Sequence, residues 1–170
     1  MLGLTIISSV AIIGGCGYIG QIMAERIHNR CRDLAAYQQG LLALAREIGY
    51  GNTLLPAALA VAARTAGGRA ELFADSAAIL QKEAGISAGE AWAKALATQK
   101  SLPTPEKEAL AAFGEGLGLS DTADQLKRIE IHRLRLATIE ETAKEEYARL
   151  GKIWRSMGWC AGVIIVLLII

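Results

Sequence analysis

Gly15, Gly17 and Gly20 stand in G-x-G-x-x-G register behind the apolar run Val10-Ala-Ile-Ile. In a dinucleotide-binding domain that spacing turns a strand into a helix whose N-terminus cradles a pyrophosphate. The chemistry also needs a second strand ending in an acidic residue about 20 positions on. Here Glu25 to Ile48 is helical in pattern, Asp33 comes too early, and no later run alternates β-branched residues. No cofactor and no oxidoreductase is therefore expected.

The remaining chemistry-bearing residues read the same way. His28 lies among arginines beside an apolar stretch, and a solvated or lipid-facing ring is expected there. His132 sits on a helical stripe with no carboxylate at i±4 and no nearby cysteine, which reads as a packed or edge histidine rather than a metal ligand or acid-base group. Glu140/Glu141 and Glu145/Glu146 interleave with Lys144 and Arg149, the pattern of a solvated helix face. Cys16, Cys31 and Cys160 form no C-x-x-C pair, disulfide framework or zinc set, and G-x-x-x-x-G-K-[ST] is absent. No catalytic and no metal residue is assigned, and the chain reads as a non-enzyme.

The organisation that positions these residues lies in the charge distribution. The 170 residues are 52% apolar with net charge +1, yet all 18 Lys/Arg and all 17 Asp/Glu fall between Glu25 and Arg155. Mean hydropathy is +0.31. A balanced middle without a long basic cluster argues against nucleic acid. The uncharged ends read as membrane segments at 1–24 and 156–170. As helices they reach about 36 Å and about 22 Å, so the first spans unaided and the second recruits Trp154 and the stem of Arg155. A cleaved signal peptide would need a basic stretch ahead of the apolar run, and nothing basic precedes Arg26. Arg26, Arg30 and Arg32 follow the first segment and Arg149, Lys152 and Arg155 precede the second, which places the middle in the cytoplasm and both termini outward. Gly158 and Gly162 form a G-x-x-x-G, and Gly15 and Gly20 take part in similar small-residue spacings with Ala11 and Cys16. Such spacing admits helix packing in lipid, and with it a homo-oligomer, or simply reflects the frequency of glycine in membrane helices.

The middle, 25–155, reads as six helices. Ile27, Leu34, Leu41 and Ile48, with Tyr37 and Leu44, stripe the first until Gly49 to Asn52 stops it. A second begins near Leu54 with Pro56 in its first turn and ends at Gly67-Gly68. A third covers about 69–84, with Leu72, Phe73, Ala77 and Leu80 inward. Ser87 and Glu90 form a capping box opening a fourth, which buries Ala91, Trp92, Ala95 and Leu96. Thr104 opens the fifth, with Leu110, Phe113 and Leu117 inward. Ser120 caps a long sixth helix whose stripe runs Ile129, His132, Leu136, Ile139, Ala143, Tyr147, Leu150, Ile153 into the second membrane segment. The expected fold is all-α: an antiparallel six-helix bundle whose first and last helices continue into N- and C-terminal transmembrane segments.

The order of Glu47-Ile-Gly-Tyr-Gly-Asn-Thr-Leu-Leu-Pro-Ala-Ala-Leu59, Leu72-Phe73, Ala88-Gly-Glu-Ala-Trp92 and Leu117-Gly-Leu-Ser-Asp-Thr-Ala-Asp-Gln125 resembles the stage III sporulation protein AB family of endospore-forming bacteria. The resemblance covers essentially the whole chain. It is strongest at Tyr50, Gly51 and Pro56 and at Leu117, Gly118, Ser120, Asp121 and Gln125, which are fold-level signatures. Where the family often has an acidic residue after the proline, this chain has Ala57-Ala58. The family's cytoplasmic domain is similar to a domain of the inner-membrane platform protein of type II secretion systems. The resemblance implies a membrane platform in the export apparatus between mother cell and forespore, with a secretion-type ATPase, other membrane subunits and the lipid bilayer as partners. It also implies residence in the mother-cell membrane around the forespore. The competing reading is a membrane-anchored coiled-coil signalling or interaction subunit, with a dimer seam along Ile129 to Ile153.

Overall fold

The computed structural model describes residues 2–50 and 53–169. Among the described residues there are six helices and no strand: α1 (Leu2–Tyr50), α2 (Leu55–Thr65), α3 (Glu71–Lys82), α4 (Ala88–Thr98), α5 (Thr104–Gly114) and α6 (Thr122–Ile169). The chain divides into two compact units, one of Met1–Cys31 with Glu141–Ile170 and one of Arg32–Glu140.

In the Arg32–Glu140 unit, the six-helix arrangement follows from short connections and from apolar faces that need covering. α2 packs on α3, α3 on α4 and α4 on α5. α1 and α6 run antiparallel: Gln38 Nε2 donates to Glu140 Oε2, while Gly49 lies against the Leu126 side chain. The core is one aromatic chain crossing the bundle. Tyr37 of α1 meets Phe73 of α3 with ring centroids 6.1 Å apart, and Phe73 meets Trp92 of α4 edge-on at 5.4 Å. Trp92 meets Phe113 of α5 at 5.0 Å, and Phe113 meets His132 of α6 at 5.7 Å. Edge-to-face pairs of this kind add about 0.5–1.5 kcal/mol each beyond the area they bury.

Room for these rings comes from glycine on the facing helix. A Cβ at Gly40 would overlap the Phe73 ring, and one at Gly114 would overlap the indole of Trp92. Leu34, Leu41, Leu44, Leu59, Leu72, Leu110 and Leu136 complete the core. Each such side chain contributes about 1.5–3 kcal/mol by leaving water.

The local signals for α4 are met in full. Ser87 Oγ accepts from the Glu90 N–H at 3.2 Å and Glu90 Oε2 accepts from the Ser87 N–H at 3.0 Å. Other boundaries differ from the sequence expectation. α1 runs through Gly49 to Tyr50, because glycine in a helix costs only about 1 kcal/mol. α5 has Pro103 at its N-cap, with Thr104 already helical and no side-chain cap. The cap of α6 is Asp121, whose Oδ1 accepts from the Asp124 N–H at 2.8 Å, and not Ser120. The i→i+3 reach of a capping carboxylate decides this.

The expected stripes are partly buried. Leu34, Tyr37, Leu41 and Leu44 are buried, but Ile27 and Ile48 are only half-buried. On α6 the heptad Ile129, Leu136 and Ala143 is buried while its next position, Leu150, is only half-buried. A strict seven-residue repeat drifts about 20° per heptad around a straight helix, which moves its ends off the covered face.

In the other unit, Ala24 is buried, Arg30 Nη1 pairs with Glu146 Oε2 at 3.0 Å, and the His28 and Tyr147 rings lie 5.2 Å apart. Residues 2–24 and 156–169 are helical, as expected, although the side chains of most of them lie outside those described. Among the described residues no helix is long and apolar enough to cross a membrane.

Candidate functional site

The two signature segments lie some sixty positions apart in the chain and meet at one end of the Arg32–Glu140 unit. Pro56 sits in the first turn of α2, where a missing N–H removes no helical bond. Gly118, after α5, has φ +79°, a conformation in which other residues are strained. A Cβ there would stand 3.2 Å from the Cβ of Ala88 and 3.7 Å from Leu55 Cδ2. Leu117 is buried beside this turn, Gln125 Nε2 donates to the Ser120 carbonyl at 2.9 Å, and Asp121 caps α6. Gly51 lies outside the described residues. A cavity of about 450 Å³ opens here, lined by Ile48, Thr53, Leu55, Ala88, Gly118 and Gln125 among others.

Three large apolar side chains face water at this end. Tyr50 is 95% exposed, Leu54 81% and Leu119 76%. Each directly adjoins a residue of the converging segments: Tyr50 follows Gly49, Leu54 precedes Leu55 and Leu119 follows Gly118. Among the described residues nothing covers these three side chains. The sequence offered Tyr50 as a signature residue, Leu54 as a helix start and Leu119 within a signature segment, and gave none of them a binding role. A lone leucine in a loop carries no periodic signal, so only its exposure beside the others distinguishes it.

The titratable candidates for chemistry lie elsewhere. His132 lies at the edge of the core against Phe113, with Nδ1 buried and without a hydrogen-bond partner. Burial, reinforced by Arg128 and Arg135, pushes its pKa below the ordinary histidine value, against a raising contribution from a hydrogen bond with the Ala109 backbone. That is a packed edge histidine, as expected. Burial likewise raises the Tyr37 hydroxyl, with Asp33, Glu71 and Asp75 adding to the effect.

The acidic run on α6 is less uniformly solvated than its pattern suggests: Glu140 holds Gln38 and Glu146 holds Arg30, so two of its four carboxylates tie α6 to α1. Arg30 is therefore an ion-pair partner, whereas Arg26, Arg32 and Arg149 are exposed; the side chains of Lys152 and Arg155 lie outside those described. Gly15 has open space where a Cβ would stand, with nothing among the described residues within 4 Å of it. The surroundings of Gly20, Gly158 and Gly162 lie outside the described residues. Among the described residues no three His, Cys, Asp or Glu side chains gather as a metal would require. Glu106, a buried carboxylate on α5, escaped the sequence reading because an acidic residue two positions after a helix start normally serves the helix dipole in water.

A tightly packed all-α bundle with an apolar, glycine-turned end is the class of protein that fold and site define. The chain belongs to the stage III sporulation protein AB family, whose family model matches residues 5–170. It is 31% identical to stage III sporulation protein AB of Bacillus subtilis (strain 168), over 98% of this chain and 99% of that protein. A solved structure of a stage III sporulation protein AB (SpoIIIAB) is similar with a TM-score of 0.62 at 32% identity, covering 70% of this chain and 96% of the solved one. Family membership supports a role in sporulation.

Proposed function

We propose that this chain is a non-enzymatic platform subunit of the export apparatus between mother cell and forespore, coupling a cytoplasmic secretion-type ATPase to the membrane complex. In this reading residues 1–24 and 156–170 anchor it in the mother-cell membrane around the forespore, both termini face outward, and the bundle lies in the mother-cell cytoplasm beside the other membrane subunits. The apolar lengths of the two ends and the basic residues that border them support the anchoring. The single observation that carries a partner-binding role is the exposure of Tyr50, Leu54 and Leu119, each next to one of the two signature segments that meet at Gly118 and Leu55.

Two measurements on the full chain test this. Purification from sporulating membranes is expected to bring the secretion-type ATPase along, and loss of that capture in a Tyr50→Asp, Leu119→Asp variant ties it to this end. Cys31 is buried and is expected to label poorly, whereas Cys160 is exposed, so orientation is read from a cysteine placed at exposed Gln81 in a chain with Cys16 and Cys160 replaced by Ser. A membrane-impermeant maleimide is expected to reach position 81 only after cells are opened. Labelling in intact cells would overturn both the orientation and the ATPase contact.

A further inference from the structure

A second apolar feature of the Arg32–Glu140 unit lies along the side of the bundle, between α4 and α5. It is a groove of about 570 Å³ whose floor is Trp92 and Leu96 and whose walls are the alanines Ala93, Ala97 and Ala111. The groove is fixed in shape. Trp92 Nε1 donates to the Leu110 carbonyl at 2.8 Å, and Gly89 lets the α4 backbone come down onto the Gly114 carbonyl. It is also polar in sense: Glu90 and Glu115 stand at one end and Lys107 at the other. α4 and α5 are antiparallel neighbours, so their dipoles largely cancel and the side-chain charges set the field.

The same chain carries a ridge that matches it. On the outer face of α6, Ile131 and Leu134 are each 53% exposed, one turn apart, and exposed Lys127 lies on the same face one turn before Ile131. Lys127 to Leu134 spans seven residues, about 10 Å of helix, and so does Glu90 to Ala97 along the groove. Neither Lys127 nor Glu115 takes part in an ion pair among the described residues.

We propose that the α4–α5 groove receives the Lys127–Leu134 face of α6 from a second copy of this chain. Ile131 and Leu134 then lie on the alanine walls and Lys127 lies beside Glu115 and Glu90, with the incoming helix parallel to α4. Groove and ridge are different surfaces of one chain, so the contact is heterologous and builds a ring or an open row of subunits rather than an isolated pair. One ridge of two apolar side chains gives a weak contact in dilute solution, and confinement of the chains in one assembly raises their effective concentration enough to populate it. The groove shares Leu119 with the exposed end described above, and the charge variants at Lys127 and Glu115, which leave Tyr50, Leu54 and Leu119 unchanged, distinguish this contact from the ATPase contact.

The test uses the full-length chain in sporulating cells, with the photo-crosslinking residue p-benzoylphenylalanine at position 134 and, as a control, at exposed position 81. The expected result is a dimer-sized product from position 134 whose crosslinked peptide, by mass spectrometry, lies within 88–119. Lys127→Glu is expected to lower the yield about tenfold, and Glu115→Lys in the partner copy to restore it to within about twofold, since like charges across a contact oppose it and reversal of both restores the pairing. Both positions are exposed, and circular dichroism of each variant checks that the fold is retained. A product that maps to another segment or another protein, a yield no higher than from position 81, or charge variants that leave the yield unchanged would each overturn the proposal.

Discussion

The indole Nε1 of Trp92 donates to the main-chain carbonyl of Leu110 at 2.8 Å, in a part of the bundle where both residues are completely buried. One side chain of α4 thereby fixes the spacing of α5, while its ring touches Phe73 on one side and Phe113 on the other. Trp92→Phe removes the donor and leaves the Leu110 carbonyl without that bond, a loss of about 1–3 kcal/mol. Trp92→Ala adds a cavity and is expected to cost about 3–5 kcal/mol. Urea unfolding followed by circular dichroism checks both. Equal costs for the two variants would show that the hydrogen bond and the ring do not contribute separately.

The start of α6 distinguishes two neighbouring residues. Asp121→Ala is expected to destabilise the fold by about 1 kcal/mol, because the Asp124 N–H loses its acceptor. Ser120 makes no hydrogen bond through its hydroxyl, so Ser120→Ala is expected to be neutral or slightly stabilising. Thermal melts of the two variants side by side decide between Asp121 and Ser120 as the cap.

His132 makes stability depend on pH in a defined direction. Its folded pKa lies below the ordinary 6.5, chiefly through burial, so the unfolded chain takes up a proton at a higher pH than the folded one. The stabilisation from the neutral ring is complete above about pH 6.5 and is lost progressively as pH falls from there through the folded pKa. Melting temperatures between pH 7.5 and 5.5 are expected to fall more for the wild type than for His132→Gln. Parallel curves would remove this residue as the cause.

Tyr50, Leu54 and Leu119 lie almost entirely in water, so polar replacements there are expected to change stability by no more than about 0.5 kcal/mol. The same Tyr50→Asp, Leu119→Asp variant is expected to lose capture of membrane-complex partners in pull-downs from sporulating cells. A variant that folds like the wild type and still captures every partner would move the interaction elsewhere on the bundle.

Much of the fold was legible because helices report themselves locally. The Ser87/Glu90 box, Pro56 in a first turn and the apolar positions at threes and fours on α1, α3 and α4 each state a backbone preference within a few residues. The same locality explains the errors at helix ends. Ser120 and Asp121 are both competent caps, and which of them meets a free N–H depends on where the chain turns after Gly118.

The sequence by itself determined that this chain is helical, that its charges are confined to its middle, and that its signature segments belong to the stage III sporulation protein AB family. Tertiary structure alone decided that Tyr50 and Leu119 share one end of the unit and that Glu140 and Glu146 reach α1 rather than water. It also decided that Gly40 and Gly114 are seats for Phe73 and Trp92. The physical reason is range: propensity and capping act over three or four residues, whereas exposure and ring packing depend on which distant segment arrives to cover a face.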